Sequence, residues 1–236
     1  MAAEKKNFLP AVVMLFLLFI FVSIAGSSSA IAAEDTAVTG YSEADDNGYV
    51  QAEVTLREDQ IIDVSLKEFN EMAREKGDDY PWDDWHEAME VLPQRFVEAD
   101  DYDVEGVTGA TGTSDKAREA VRMALLKTEG VEQFSGTYMG ISDIIERGWG
   151  VAWVTVEPDE EAPEGYRITD LRLEEVSGDE FKDEDYGWPE FHEAQEEIAE
   201  SMMQSDTYEV DAYSGATGSS ELWMEAVADA LEKAGF

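Results

Sequence analysis

The segment Val104-Glu-Gly-Val-Thr-Gly-Ala-Thr-Gly-Thr-Ser114 returns, little changed, as Val210-Asp-Ala-Tyr-Ser-Gly-Ala-Thr-Gly-Ser-Ser220. The offset is 106 residues (217 − 111), and it also carries Tyr80 to Tyr186, Trp82 to Trp188, His86 to His192 and Glu119-Ala120-Val121 to Glu225-Ala226-Val227. Aligned without a gap, residues 80–127 and 186–233 agree at 20 of 48 positions, which only duplication explains. A chain of 236 residues built this way is constrained to fold as two copies of one small unit.

The copies extend upstream more loosely. Val50 to Leu56 and Val151 to Val156 alternate apolar and polar residues and read as strands. Ile61 to Leu66 and Ile168 to Leu173 supply the next strand of each copy. The turn between is short in the first copy, and in the second it is the Pro-, Glu- and Gly-rich stretch Pro158 to Gly165. A helix around His86 or His192 follows, then a Gly-Ala-Thr turn. The closing helices run Ser114 to Lys127 and Ser220 to Lys233, each with Ser or Thr just before its start. The expected fold is α+β: two tandem homologous small domains, each an antiparallel sheet or hairpin with packed helices. Their expected bounds are 34–128 and 136–236, joined by a linker over 129–135. Met89, Met202 and Met203 are expected in the core.

Residues 1–33 read as a targeting segment. Lys5 and Lys6 precede an apolar run from Phe8 to Ala25, and small residues Ala30 and Ala32 close it. The order suits a cleaved secretory signal, and the length also suits an uncleaved membrane anchor. Either reading sends the rest of the chain out of the cytoplasm, membrane-associated, periplasmic or secreted. Composition then excludes partners. The whole chain carries 16 Lys and Arg against 55 Asp and Glu, a net charge of −39, which excludes a nucleic-acid partner. Removing Glu4, Lys5 and Lys6 leaves 14 against 54, or −40. Such a surface suits a saline habitat, or it steers a cationic partner. No cysteine is present, so disulfides, thiolate metal sites and catalytic thiols are excluded; with only two histidines, no metal site is expected.

The chemistry is expected in the Gly-Ala-Thr turn. Gly109-Ala110 and Gly215-Ala216 present almost no side chain, so a bulky group can approach the backbone. Thr111 and Thr217 set a hydroxyl on that bare surface, close to a helix start whose free N–H groups and dipole favour a phosphate. The plain alternative is a capped helix preceded by a small-residue turn. The carboxylates are too numerous for any pair to stand out as a catalytic acid and base, and no nucleotide fingerprint for NADH is present. No residue is therefore expected to be catalytic.

The pattern Asp-x-x-Ser/Thr-Gly-Ala-Thr-x-x-Ser resembles the FMN-binding domain family with covalently attached flavin. That family includes the flavin-bearing components of the sodium-pumping NADH:quinone reductase and of the Rnf complex, and tandem-domain exported flavoproteins of extracellular electron transfer. The second copy carries Asp211, Ser214, Gly215, Ala216, Thr217 and Ser220 at the motif positions; the first carries Glu105, Thr108, Gly109, Ala110, Thr111 and Ser114. The resemblance implies two FMN groups, bound by phosphoester to Thr111 and Thr217. It also implies a magnesium-dependent flavin transferase that installs them from FAD, and a membrane redox partner. The implied role is an electron carrier between a membrane oxidoreductase and an extracytoplasmic acceptor. A flavin-free binding module of the same fold, or a fixed subunit of a membrane redox complex, are the alternatives. Trp82, Trp188, His86 and His192 read either as helix starts with buried aromatics or as residues lining the flavin ring.

Overall fold

A computed structural model describes residues 34–236; the targeting segment expected over 1–33 lies outside the described residues. In the first copy, β1 (Thr36–Tyr41), β2 (Tyr49–Arg57) and β3 (Gln60–Phe69) form an antiparallel meander in that order. Helices α1 (Asp83–Ala99) and α2 (Thr111–Thr128) follow. The second copy repeats the plan with β4 (Gly136–Ile141), β5 (Trp149–Pro158) and β6 (Tyr166–Ser177), adds the short edge strand β7 (Glu180–Phe181), and ends in α3 (Pro189–Ser205) and α4 (Thr217–Ala234). The protein is α+β. Among the described residues, no helix is long and apolar enough to cross a membrane.

Alternation decides which face of each strand meets the helices. Val50, Ala52, Val54 and Leu56 of β2 pack with Ala88, Leu92 and Phe96 of α1 and Ala117, Val121 and Ala124 of α2. Ala152, Val154 and Val156 of β5 pack in the same way with Phe191 and Ile198 of α3 and with Trp223 and Val227 of α4. Met202 lies in this core, Met203 packs against it, and Met89 is half-buried.

Each copy opens with one more strand than the hairpin expected from sequence, and the second also adds β7. The opening strands, β1 and β4, carry a glycine where α2 and α4 cross them. A methyl group at Gly40 would lie 2.1 Å from the Ala120 carbonyl oxygen and 2.5 Å from the Ala124 nitrogen. At Gly140 the same distances are 1.9 Å to Ala226 and 2.5 Å to Ala230. Helix backbone thus rests directly on strand backbone, and the glycine that permits it interrupts the apolar alternation by which a strand is recognised.

Both α1 and α3 end on an aspartate in the left-handed region, Asp100 (φ 54°) and Asp206 (φ 51°). Their carboxylates accept the Ile61 and Ile168 backbone N–H groups at 2.8 and 3.0 Å. The end of each helix is thereby tied to the start of the second hairpin strand.

The sheets differ on their outer faces. In the second copy Met139, Trp149, Val151, Trp153 and Val176 are buried there against Tyr49 and Ala73 of the first, with Phe69 and Met72 at the edge. Polar contacts fix the joint. The turn after β1 donates its Ala44 N–H to the Thr137 carbonyl (2.7 Å), and the Trp153 indole donates to the Asp45 carbonyl (3.3 Å). The Trp149 indole donates to the Met72 carbonyl at 2.9 Å, with the Arg74 guanidinium over its ring. In the equivalent turn of the second copy, Ile144 and Ile145 are 70% and 43% exposed. One copy offers a turn and the other a sheet face, so the joint is head-to-tail. Residues 131–135, within the expected linker, have no regular structure, and the Phe134 N–H bonds the Ala234 carbonyl at 2.9 Å.

Candidate functional site: the two Gly-Ala-Thr turns

Each turn is built by three small residues and one serine. Gly109 and Gly215 take φ of 89° and 99°, a left-handed bend that a side chain would strain. Ala110 and Ala216 are buried and serve as N-caps, with no side chain able to cap the helix. Thr111 and Thr217 are then the first residues of α2 and α4, and both are exposed. The helices begin three residues earlier than the sequence suggests, because Ser114 and Ser220 lie inside them rather than before them. The Ser114 hydroxyl accepts the Val107 N–H (2.9 Å) and donates to the Ala110 carbonyl (2.8 Å). Ser220 does the same with Tyr213 (3.1 Å) and Ala216 (3.1 Å). One buried hydroxyl in each copy therefore folds the turn back onto its helix.

The electrostatics of these helix starts stand apart from the rest of the chain. The first turns of α2 and α4 hold no acidic residue, whereas α1 opens with Asp83 and Asp84 and α3 with Glu190. Uncapped N–H groups and the positive end of the helix dipole are left facing an exposed hydroxyl. That combination fits a phosphoryl group. The remaining motif positions, Glu105, Thr108, Asp211 and Ser214, are exposed on the approach to each turn. Asp84 lies against Gly109, where an added methyl would sit 2.0 Å from its Oδ2, and Glu190 flanks Gly215 at 3.5 Å.

The aromatic and histidine motif divides in two. Trp82 and Trp188 immediately precede α1 and α3 and remain 40% and 37% exposed. The residues Asp84 and Glu190, two positions further on, lie against Gly109 and Gly215. The histidines instead hold local structure. The His86 and His192 Nε2 atoms bond the Tyr80 and Tyr186 carbonyls at 2.7 and 2.8 Å, and the rings meet Trp85 and Phe191 edge-on. Among the described residues, no group of three or more His, Asp or Glu is arranged to hold a metal.

Sequence reasoning missed the features that make the two turns unequal. In the first copy, Arg95 donates to the Glu105 and Gly106 carbonyls (2.5 and 3.1 Å) and Arg118 to the Val104 carbonyl (2.9 Å). At the offset of 106 their places are taken by Ser201 and Met224. Those two residues, with Gln204, Tyr208, Val210 and Asp211, line an open groove of about 950 Å³. The groove reaches the motif at Asp211 but includes neither Thr217 nor the small residues around it. Arg147 departs in the opposite sense. A methyl group on Gly218 would lie 2.5 Å from its Nη2, whereas one on Gly112 would meet nothing within 4 Å. The only sequence sign of Arg147 is a basic residue where the first copy has Asn47.

Comparison with known proteins follows the same division. No curated protein matches the chain. A solved structure of the CPE2226 protein from Clostridium perfringens is 21% identical, covering 42% of this chain and 92% of that one, with a TM-score of 0.36. The FMN-binding domain family matches residues 47–126 and again residues 148–232, so that each match contains one Gly-Ala-Thr turn. The chain belongs to the FMN-binding domain family, with one copy of the domain in each repeat.

Proposed function

We propose that the chain is an exported electron-transfer flavoprotein carrying two FMN groups, one joined by phosphoester to Thr111 and one to Thr217. The observation that carries this reading is the duplicated helix start: an exposed threonine, a bare turn before it, no side-chain cap and no acidic residue in the first turn. A covalent bond suits a carrier outside the cytoplasm, where a dissociated flavin is lost by dilution. A diester also brings less negative charge to a chain at −39 than a free phosphate of about −2 does.

Loading from FAD balances simply. The threonine oxygen–phosphorus bond forms, the pyrophosphate bond breaks, AMP leaves, and the hydroxyl proton passes to the transferase or to water. A magnesium-dependent flavin transferase fits this step. Once attached, the flavin ring supplies one- and two-electron redox chemistry, and the protein supplies position and charge. Ser114 and Ser220 fold the turns onto their helices, and Trp82 and Trp188 carry exposed rings immediately before α1 and α3. The partners on this reading are a membrane oxidoreductase and an extracytoplasmic acceptor, and the acidic surface keeps the carrier soluble in concentrated salt.

Intact-mass measurement after co-expression with a flavin transferase tests the reading. Two groups add about 438 Da each, FMN less water. Thr111→Ala and Thr217→Ala are expected to leave one group each, and the double variant none. A colourless chain of unmodified mass would instead support the flavin-free binding module.

A further inference from the structure

Arginines are scarce in this chain, and their positions are informative. Arg57, Arg74, Arg118, Arg167 and Arg172 each hold a carboxylate. Arg95, Arg122 and Arg147 form no ion pair among the described residues, and of these Arg95 is taken up by backbone carbonyls. The Arg147 guanidinium lies over Gly218, with Nη2, Nη1 and Cζ at 2.5, 2.8 and 2.8 Å from where a methyl group would stand. Gly218 is the second residue of α4, directly after Thr217. An exposed cation with no ion-pair partner among the described residues thus lies against the residue that follows Thr217, at the helix end that already favours an anion.

The first copy lacks this arrangement. Asn47 stands at the equivalent turn position, and nothing lies over Gly112. Lys116, one turn further along α2, is occupied by the Asp45 carboxylate (2.5 Å) and the Gly48 carbonyl (2.7 Å). Arg95 and Arg118 bond backbone carbonyls of residues 104–106, on the approach to the turn.

We infer that Arg147 is the counter-cation of the phosphoryl group on Thr217, a specificity-determining residue present in the second FMN site and absent from the first. The inference rests on the proposed attachment of FMN to Thr217. A guanidinium presents paired N–H donors that match two phosphoryl oxygens, and charge-assisted hydrogen bonds of this kind are about twice as strong as neutral ones. The second phosphodiester is held by guanidinium and helix start together, the first by the helix start alone. Arg147 lies one residue before the second family match begins.

Phosphorus-31 NMR of the fully loaded chain reads this directly, because it reports the phosphate rather than the ring. Thr111→Ala and Thr217→Ala assign the two resonances. Arg147→Ala is expected to shift the Thr217-linked resonance and leave the Thr111-linked one in place. Arg147→Lys keeps the charge and is expected to shift it less, and Asn47→Arg to shift the Thr111-linked resonance instead. A Thr217-linked resonance indifferent to Arg147→Ala, or equal movement of both resonances, overturns the inference while leaving covalent attachment intact. A chain whose mass and peptide map show no FMN on Thr217 overturns the attachment as well. An unchanged melting curve for Arg147→Lys separates the effect from a disturbed turn.

Discussion

Glu68 and Glu175 are buried carboxylates at equivalent places in β3 and β6, paired with Lys76 and Lys182 at 2.6 Å each. In the first copy the Trp85 indole also donates to Glu68 Oε2 at 2.8 Å. In the second, Phe191 stands in that place and Glu175 Oε2 has no partner. Removing the indole from the first copy recreates that state. Trp85→Phe is therefore expected to cost about 1–3 kcal/mol, the penalty for leaving a buried acceptor unmatched. Urea unfolding measures it; a cost near zero would mean that Lys76 alone satisfies the carboxylate. The converse change, Phe191→Trp, has less room, because that ring is fully buried and meets Trp223 at 5.2 Å between centroids. At this scale the sequence was informative about the Gly-Ala-Thr turns, since glycine bends the backbone there and the threonine is left exposed. It was silent on Arg147 and on the Glu175 orphan, because each depends on a neighbour far away along the chain.

The elements join through backbone contacts that composition conceals. The inner strands β2, β3, β5 and β6 were legible from alternation, and the helices from their apolar spacing. The edge strands β1 and β4 were not, because Gly40 and Gly140 answer to the helices crossing them rather than to the strand pattern. Gly40→Ala or Gly140→Ala drives a methyl group into helix backbone, which has no rotamer by which to yield. Each is expected to destabilise by about 3 kcal/mol or more, at the upper end of overpacking costs. Thermal unfolding checks this, and an unchanged midpoint would show that α2 or α4 can slide on its sheet. Ser114→Ala tests a different link between elements. It leaves the Val107 N–H without its acceptor, so the turn before α2 should loosen, exchanging its amide protons faster while the β2 amides stay protected. Equal protection of Val107 in both proteins would show that the hydroxyl is not what holds the turn.

Across the whole molecule, charge sets the response to pH and salt. Glu119 is pushed above its ordinary 4.5 by burial and by the nearby Glu43, and Glu174 is pushed up by burial. A carboxyl whose folded value is raised binds protons more readily when folded. The stability it contributes is complete below 4.5 and is lost as pH rises through the raised value. Asp45 has the opposite sign. Burial pulls it up, but hydrogen bonds from Lys116 and Asn47 outweigh this and hold it below 3.8, so its contribution is lost only as pH falls through that lowered value. Relief of self-repulsion at −39 adds to the first effect. The urea midpoint is expected to be higher at pH 5 than at pH 8; the reverse order would mean that ion pairs outweigh repulsion. Salt acts on the same charge. From 0.01 to 1 M the screening length falls from about 30 Å to about 3 Å. Both flavin potentials are expected to rise by some tens of millivolts, read by spectroelectrochemical titration of the loaded protein. Flat potentials would show that the acidic surface does not reach the rings. The head-to-tail joint has a consequence of its own. A two-fold pair offers a visitor the same face twice, and either flavin could then serve either errand. Here the turn of one copy is spent on the sheet of the other, so the molecule has a front and a back. For the proposed carrier, a donor shaped to one end would not fit the other, and current through it would acquire a direction from its shape before any difference in potential is considered.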